Sequence, residues 1–179
     1  MPCPRSKKKL YTENELYEYA VGALARRMRT VAELKRLMRQ KVEAHTEFGQ
    51  TLVELIICRL KDQGYLNDAR YAATYSSLRR DNEKFGRMRV ITDLKAKGVH
   101  GEIIDRAVST IYDEVDEEKQ ARAFLLRKRV TKPQDQKQAA RIFRLLTRAG
   151  FRAKAIFTIL KKWDVDDETL TALEGESQE

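Results

Sequence analysis

A chain of 179 residues that is 42% hydrophobic, with only three prolines, can bury a core, which argues against wholesale disorder, and its abundance of Ala, Leu, Glu, Lys and Arg favours helix over sheet. The formal charge of +9 is unevenly spread: residues 116–163 hold 14 basic and 4 acidic side chains, residues 1–45 hold 11 and 5, and residues 164–179 hold 7 acidic and none basic. No run approaches the roughly 18 apolar residues of a membrane span, no apolar stretch follows the basic first ten residues as in a signal peptide, and Cys3 and Cys58 are too few for a disulfide framework or a four-ligand metal site, so a cytoplasmic location is expected.

Thr12 to Glu15 reads as a capping box opening a first helix, with Leu16, Ala20, Leu24 and Met28 at helical spacing. Thr30 to Glu33 is a second capping box, starting a helix with Leu34, Leu37 and Met38 inward. After a turn over 44–49, a third helix carries Leu52, Val53, Ile56, Ile57 and Leu60, and Gly64 ends it. Asn67 or Asp68 caps a fourth, through Tyr71, Ala72, Tyr75 and Leu78. Gly86 precedes a fifth that stops at Gly98, Gly101 precedes a sixth, and Asp116 caps a seventh that ends before Pro133. An eighth runs up to Gly150, and a ninth carries Ala155, Ile156, Ile159, Leu160 and Trp163.

The segments repeat. With Gly98 placed over Gly150, Val90 falls on Ile142, Ile91 on Phe143, Leu94 on Leu146, Val99 on Phe151 and Ile104 on Ile156. More loosely, Leu34 and Met38 match Val90 and Leu94. The simplest reading is all-α: three tandem three-helix repeats at 11–65, 66–114 and 115–163, between a basic tail at 1–10 and an acidic tail at 164–179. Units of this size bury little core alone, so neighbours are expected to stack.

Enzyme chemistry has no foothold. His45 and His100 have no Cys, Asp or Glu at metal spacing, no phosphate-binding glycine loop is present, and neither a metal nor another cofactor is expected. Cys58 lies beside the apolar stripe of the third helix and reads as a packed thiol rather than a nucleophile. Asp166, Asp167 and Glu168 read as a solvated acidic tail.

Ala23 to Thr30 followed by Glu33-Leu34, then Gly64-Tyr65-Leu66-Asn67-Asp68 with Arg70-Tyr71-Ala72 and Tyr75, then Phe85-Gly86 with Arg89-Val90, Leu94 and Lys97-Gly98-Val99, and finally Arg148, Gly150-Phe151 and Ile156 resemble, in order, the motifs of the RecX family. The resemblance spans residues 15–163. It departs at Tyr71, where the family commonly has Phe, and at Lys41-Val42, where Lys-Gly is usual. It implies an elongated, curved array of winged-less helix-turn-helix-like repeats. It further implies binding in the groove of a RecA filament on single-stranded DNA, mostly inhibiting its ATPase, strand-exchange and co-protease activities; a monomer is expected. Duplex DNA is a further expected partner; a membrane is not.

Basic residues beside these motifs are the candidate contacts with RecA or DNA: Arg26, Arg27, Arg29, Arg36 and Arg39; Arg87, Arg89, Lys95 and Lys97; Arg127, Lys128, Arg129 and Lys132; Arg141, Arg144, Arg148 and Arg152. Solvated helix faces are the plainer alternative, as is a nucleic-acid-binding protein with no recombinase partner. Gly64, Tyr65, Leu66, Asp68, Tyr71, Gly98 and Gly150 are expected to be architectural, with Tyr65 and Leu66 packed at a junction.

Overall fold

The computed structural model describes residues 10–43 and 46–176, so Cys3, His45 and residues 1–9 of the basic tail lie outside it. The described residues form ten α helices and no strand. They fall into two compact units, one of residues up to Tyr71 together with Ala96–His100, the other of Ala72–Lys95 and residues from Gly101 on.

The first unit holds α1 (Glu13–Arg26), α2 (Val31–Arg39) and α3 (Glu47–Asp62). Both expected capping boxes form, Thr12 with Glu15 and Thr30 with Glu33, each hydroxyl accepting the N3 amide while the glutamate accepts the cap amide. Leu16, Ala20 and Ala23 of α1 pack on Leu34 and Met38 of α2, on Val53, Ile56, Ile57 and Leu60 of α3, and on Leu66. Two expectations fail here. Met28 does not continue the buried stripe but is 45% exposed, because the second capping box draws the chain out of the helix and Arg27 is already extended. Cys58 is exposed, since the buried positions Val53, Ile56, Ile57 and Leu60 put it on the opposite face of α3.

The second unit continues α4 (Asp68–Leu78) from Ala72, then a single wide π turn (Arg79–Glu83), then most of α5 (Arg87–Ala96), with α6 (Gly101–Tyr112), α7 (Glu117–Arg127), α8 (Gln136–Arg148) and α9 (Ala153–Lys162). Phe124, Leu125, Ile142, Phe143, Leu146, Phe151, Ile156, Ile159 and Leu160 form one core cluster. The π turn, which hydrophobic spacing did not reveal, is held from outside. Gln120 Nε2 donates to Arg80 O at 2.8 Å and Arg80 Nη1 to Ile111 O at 3.0 Å.

The acidic tail also departs from expectation. Asp167–Glu176 form α10, whose Leu170 and Leu173 are buried in the same cluster as Phe143 and Ile159. Asp166 is its cap, accepting Thr169 N at 2.7 Å, and that bond holds its carboxyl below the usual carboxylate range. Asp166 and Glu168 are exposed as expected, but the reading of 164–179 as a tail missed two leucines one helical turn apart.

Candidate nucleic-acid and partner interface

The motif residues assemble the frame of the site. Gly64 follows the C-cap of α3 with φ +73°, and its carbonyl accepts Arg70 Nη2 at 3.2 Å. Leu66 is buried in the first unit's core. Of the two possible caps for α4, Asn67 is the one used: its Oδ1 accepts Arg70 N at 2.9 Å. Asp68 turns instead to α2, where Oδ1 accepts Val31 N at 2.9 Å and supplies a bond that the helix cannot make internally. Burial pushes the Asp68 carboxyl above its ordinary value, partly offset by the Val31 amide and by Lys61.

The same helix end receives the end of α5. Thr30 Oγ1 donates to Lys97 O at 2.7 Å, Lys97 Nζ pairs with Glu33 at 3.2 Å and sits 5.9 Å from the Tyr71 ring centre, and a Cβ on Gly98 would overlap that of Ala32. Burial pulls the Lys97 ammonium down, but hydrogen bonds to Tyr71 and Glu33 prevail and raise it. In the second unit the N-terminal end of α5 meets the end of α8 alike. Gly86 N donates to Ala149 O at 2.9 Å and Met88 N to Gly150 O at 3.2 Å. Gly150 has φ +89°, and a Cβ there would overlap the backbone of Arg89. At both junctions amides at the start of one helix, or a hydroxyl beside them, meet carbonyls at the end of another, so opposite dipole ends adjoin.

These contacts divide the basic candidates. Arg87 is bound to Asp113 at 3.1 Å and to Ser109, Arg89 to Asp93 at 3.1 Å and over Phe85, Arg127 to Glu83 at 2.9 Å, and Lys132 to Asp164 at 2.7 Å. Lys128 lies over Phe124, and Arg29 closes the end of α1 by donating Nε to Ala23 O at 3.2 Å. Arg152 is the residue before α9, and its amide binds Glu117 at 2.7 Å. Arg129 takes a left-handed conformation after α7.

The others share a pattern. When α2, α5 and α8 are set in the register of the repeat, the same three positions are exposed in each: Arg36, Arg39 and Gln40; Thr92, Lys95 and Ala96; Arg144, Thr147 and Arg148. Near its C-terminal end α2 thus turns two basic side chains outward, α5 one and α8 two. Arg141 extends the α8 face by one turn, and Lys137, which lies outside the family motifs although it sits four residues before Arg141, extends it by another. Arg26 and Arg27 are exposed at the end of α1. Arg79 was missed as well. Its guanidinium lies 4.8 Å from the Tyr75 ring centre and 6.0 Å from that of Phe85; the four-residue spacing from Tyr75 is the signal that could have found it. Tyr65 departs from its expected packing and is 56% exposed.

Among the described residues no group of three or more His, Cys, Asp or Glu could hold a metal ion, and no helix is long and apolar enough to cross a membrane. Fold and surface together define an all-α protein with a repeated three-helix plan and recurring basic helix faces. Residues 67–108 match the family model described as RecX, second three-helix domain. The regulatory protein RecX of Trichlorobacter lovleyi is 32% identical over 152 residues, 83% of this chain and 96% of that protein; those of Deinococcus radiodurans and Myxococcus xanthus are 31% and 30% identical, covering 90% and 89% of this chain and 74% and 87% of their own lengths. The crystal structure of RecX from Lactobacillus salivarius has the same fold, with a TM-score of 0.65 at 22% identity over 85% of this chain and 96% of that one. The chain belongs to the RecX family of regulatory proteins.

Proposed function

We propose that this protein regulates RecA by binding the groove of its filament on single-stranded DNA, mostly restraining ATP turnover, strand exchange and co-protease activity in the cytoplasm. Family membership supports the choice of RecA. The observation that carries the binding mode is that the same three aligned, exposed positions near the ends of α2, α5 and α8 hold Arg36 and Arg39, Lys95, and Arg144 and Arg148. A filament repeats its acidic and phosphate groups, and a ligand with several modest contacts gains affinity from effective concentration when each bound module holds the next one near. Arginine suits both carboxylate and phosphate through its planar fork.

The α8 face, Lys137, Arg141, Arg144 and Arg148, favours phosphate contacts within that reading, because four basic side chains follow one stripe. The remaining candidates are Arg26, Arg27, Arg29, Arg87, Arg89, Lys97, Arg127, Lys128, Arg129, Lys132 and Arg152. Those held in internal ion pairs are proposed as secondary contacts that exchange partners on binding.

The test adds the purified protein to RecA, single-stranded DNA and ATP, and follows ATP hydrolysis together with cosedimentation. Substoichiometric protein is expected to lower turnover and to pellet with filaments. Unchanged turnover at every ratio, with the protein left in the supernatant, would remove the proposal.

A further inference from the structure

Within the motif at residues 64–68, Tyr65 takes no part in the frame at the ends of α2 and α4. Tyr65 stands between Gly64 and the buried Leu66, yet the residue is 56% exposed. It borders a groove of about 410 Å³ in the first unit, between the C-terminal half of α1 and the turn that joins α3 to α4. The floor is aliphatic, with Val21, Leu24 and Met28, and Met28 is the residue that the second capping box pushes out of the α1 helix. Exposing Met28 and Tyr65 side by side costs solvation free energy that a buried arrangement would recover.

The rim is cationic. Arg29 and Arg70 line the groove, and among the described residues no Asp or Glu does. Each arginine has one donor committed to a nearby carbonyl, Nε of Arg29 to Ala23 O and Nη2 of Arg70 to Gly64 O, which fixes the stems while further N–H groups remain on each fork. Arg26 and Arg27 add exposed positive charge at the adjoining end of α1.

We infer that this groove docks a protein segment that inserts an apolar side chain between Met28 and Tyr65 and places carboxylates on Arg29 and Arg70. A nucleobase is the poorer fit: one exposed ring offers one stacking surface, and the aliphatic floor leaves the polar edge of a base without partners. An amphipathic acidic segment satisfies both floor and rim, and a soft Met beside an amphipathic Tyr is a surface that adapts to such an anchor. The inference rests on the filament reading only in taking RecA as the protein that supplies the segment; the groove chemistry stands apart from it.

The experiment uses the full chain and two variants, Met28→Glu and Tyr65→Ser, whose far-UV circular dichroism and melting should match the parent because both side chains are exposed. The first arm measures fluorescence anisotropy with a labelled Glu/Leu amphipathic peptide and with its Lys-for-Glu counterpart. The acidic peptide is expected to bind, each variant to weaken it at least tenfold, and the basic peptide to bind at least tenfold worse than the acidic one. No binding of the acidic peptide, equal binding of both peptides, or binding indifferent to the variants would overturn the inference. The second arm measures affinity for RecA–DNA filaments and for bare oligothymidylate. Filament affinity is expected to fall at least tenfold in both variants with oligothymidylate affinity unchanged. Peptide binding abolished but filament binding kept would detach the groove from RecA and leave its chemistry standing, whereas loss of oligothymidylate binding in Tyr65→Ser reassigns the groove to nucleic acid and overturns it.

Discussion

Asp68 shows how one carboxylate can be read correctly as a cap and still be given the wrong helix. Sequence spacing offers it to α4, but Asn67 takes that position and Asp68 reaches the first amide of α2, 37 residues earlier in the chain. Asp68→Asn keeps an oxygen for Val31 N, whereas Asp68→Ala leaves that amide unpaired and should cost about 1 kcal/mol, as removal of a cap does. The sign of the pH effect follows from the raised carboxyl, whose first cause is burial, with Glu33 adding repulsion and Val31 and Lys61 opposing. A carboxyl whose pKa is higher folded than unfolded disfavours folding once it ionises, so stability falls as pH rises through the window that begins near 3.8 and extends upward. Denaturant melts of wild type and Asp68→Asn should therefore diverge in favour of Asn across that window. An invariant difference between the two proteins would contradict the assignment.

Among the elements, α8 and α10 carry the most direct consequences. On α8 the apolar positions Ile142, Phe143 and Leu146 are buried while Lys137, Arg141, Arg144 and Arg148 face outward, so truncating arginines there should leave folding intact. Arg141→Ala with Arg144→Ala is expected to weaken single-strand binding and to flatten its log–log salt dependence by about 0.7 for each phosphate that is no longer neutralised. Titrations at several salt concentrations check both, and an unaltered slope would remove α8 from the interface. On α10 the acidic composition conceals two buried leucines, so Leu170→Ala or Leu173→Ala should cost about 2–5 kcal/mol each, as large-to-small changes in a core do. Thermal unfolding of the single variants reads this directly, and melting temperatures equal to the parent would show a helix that contributes no core.

Across the whole molecule the basic helix faces are proposed to act in combination. If several modest contacts act together through effective concentration, removing Arg36 and Arg39 alone should weaken inhibition of RecA ATPase several-fold. Removing Arg144 and Arg148 as well should weaken it by a further factor of about ten or more, since each module that detaches also lowers the local concentration of the rest. Dose–response curves of ATP hydrolysis measure this, and equal inhibition by the single-module and two-module variants would contradict a distributed interface. Ion-paired arginines such as Arg87 and Arg127 should matter less, because their attraction for a new anion competes with Asp113 and Glu83.

Local and periodic information was legible in the chain itself: helix over strand, the capping boxes at Thr12 and Thr30, the glycine stops at Gly64, Gly98 and Gly150, the repeat that sets α5 over α8, and the family motifs. The caps, stops and helix preference depend on residues a few positions apart, where backbone chemistry and the helical period leave few solutions, and the repeat and motifs are visible because the same local patterns recur along the chain. Only the tertiary structure decided the rest. It showed that Asp68 serves α2, that Arg79 lies on Tyr75 through a π turn, that Cys58 and Met28 face outward, that Leu170 and Leu173 complete a core, and which arginines are spent on internal pairs. The partners of Asp68, Arg87, Leu170 and Leu173 lie far along the chain, and spacing along one helix cannot encode them, whereas Arg79 and Cys58 turn on helix faces that spacing offers and only the fold selects.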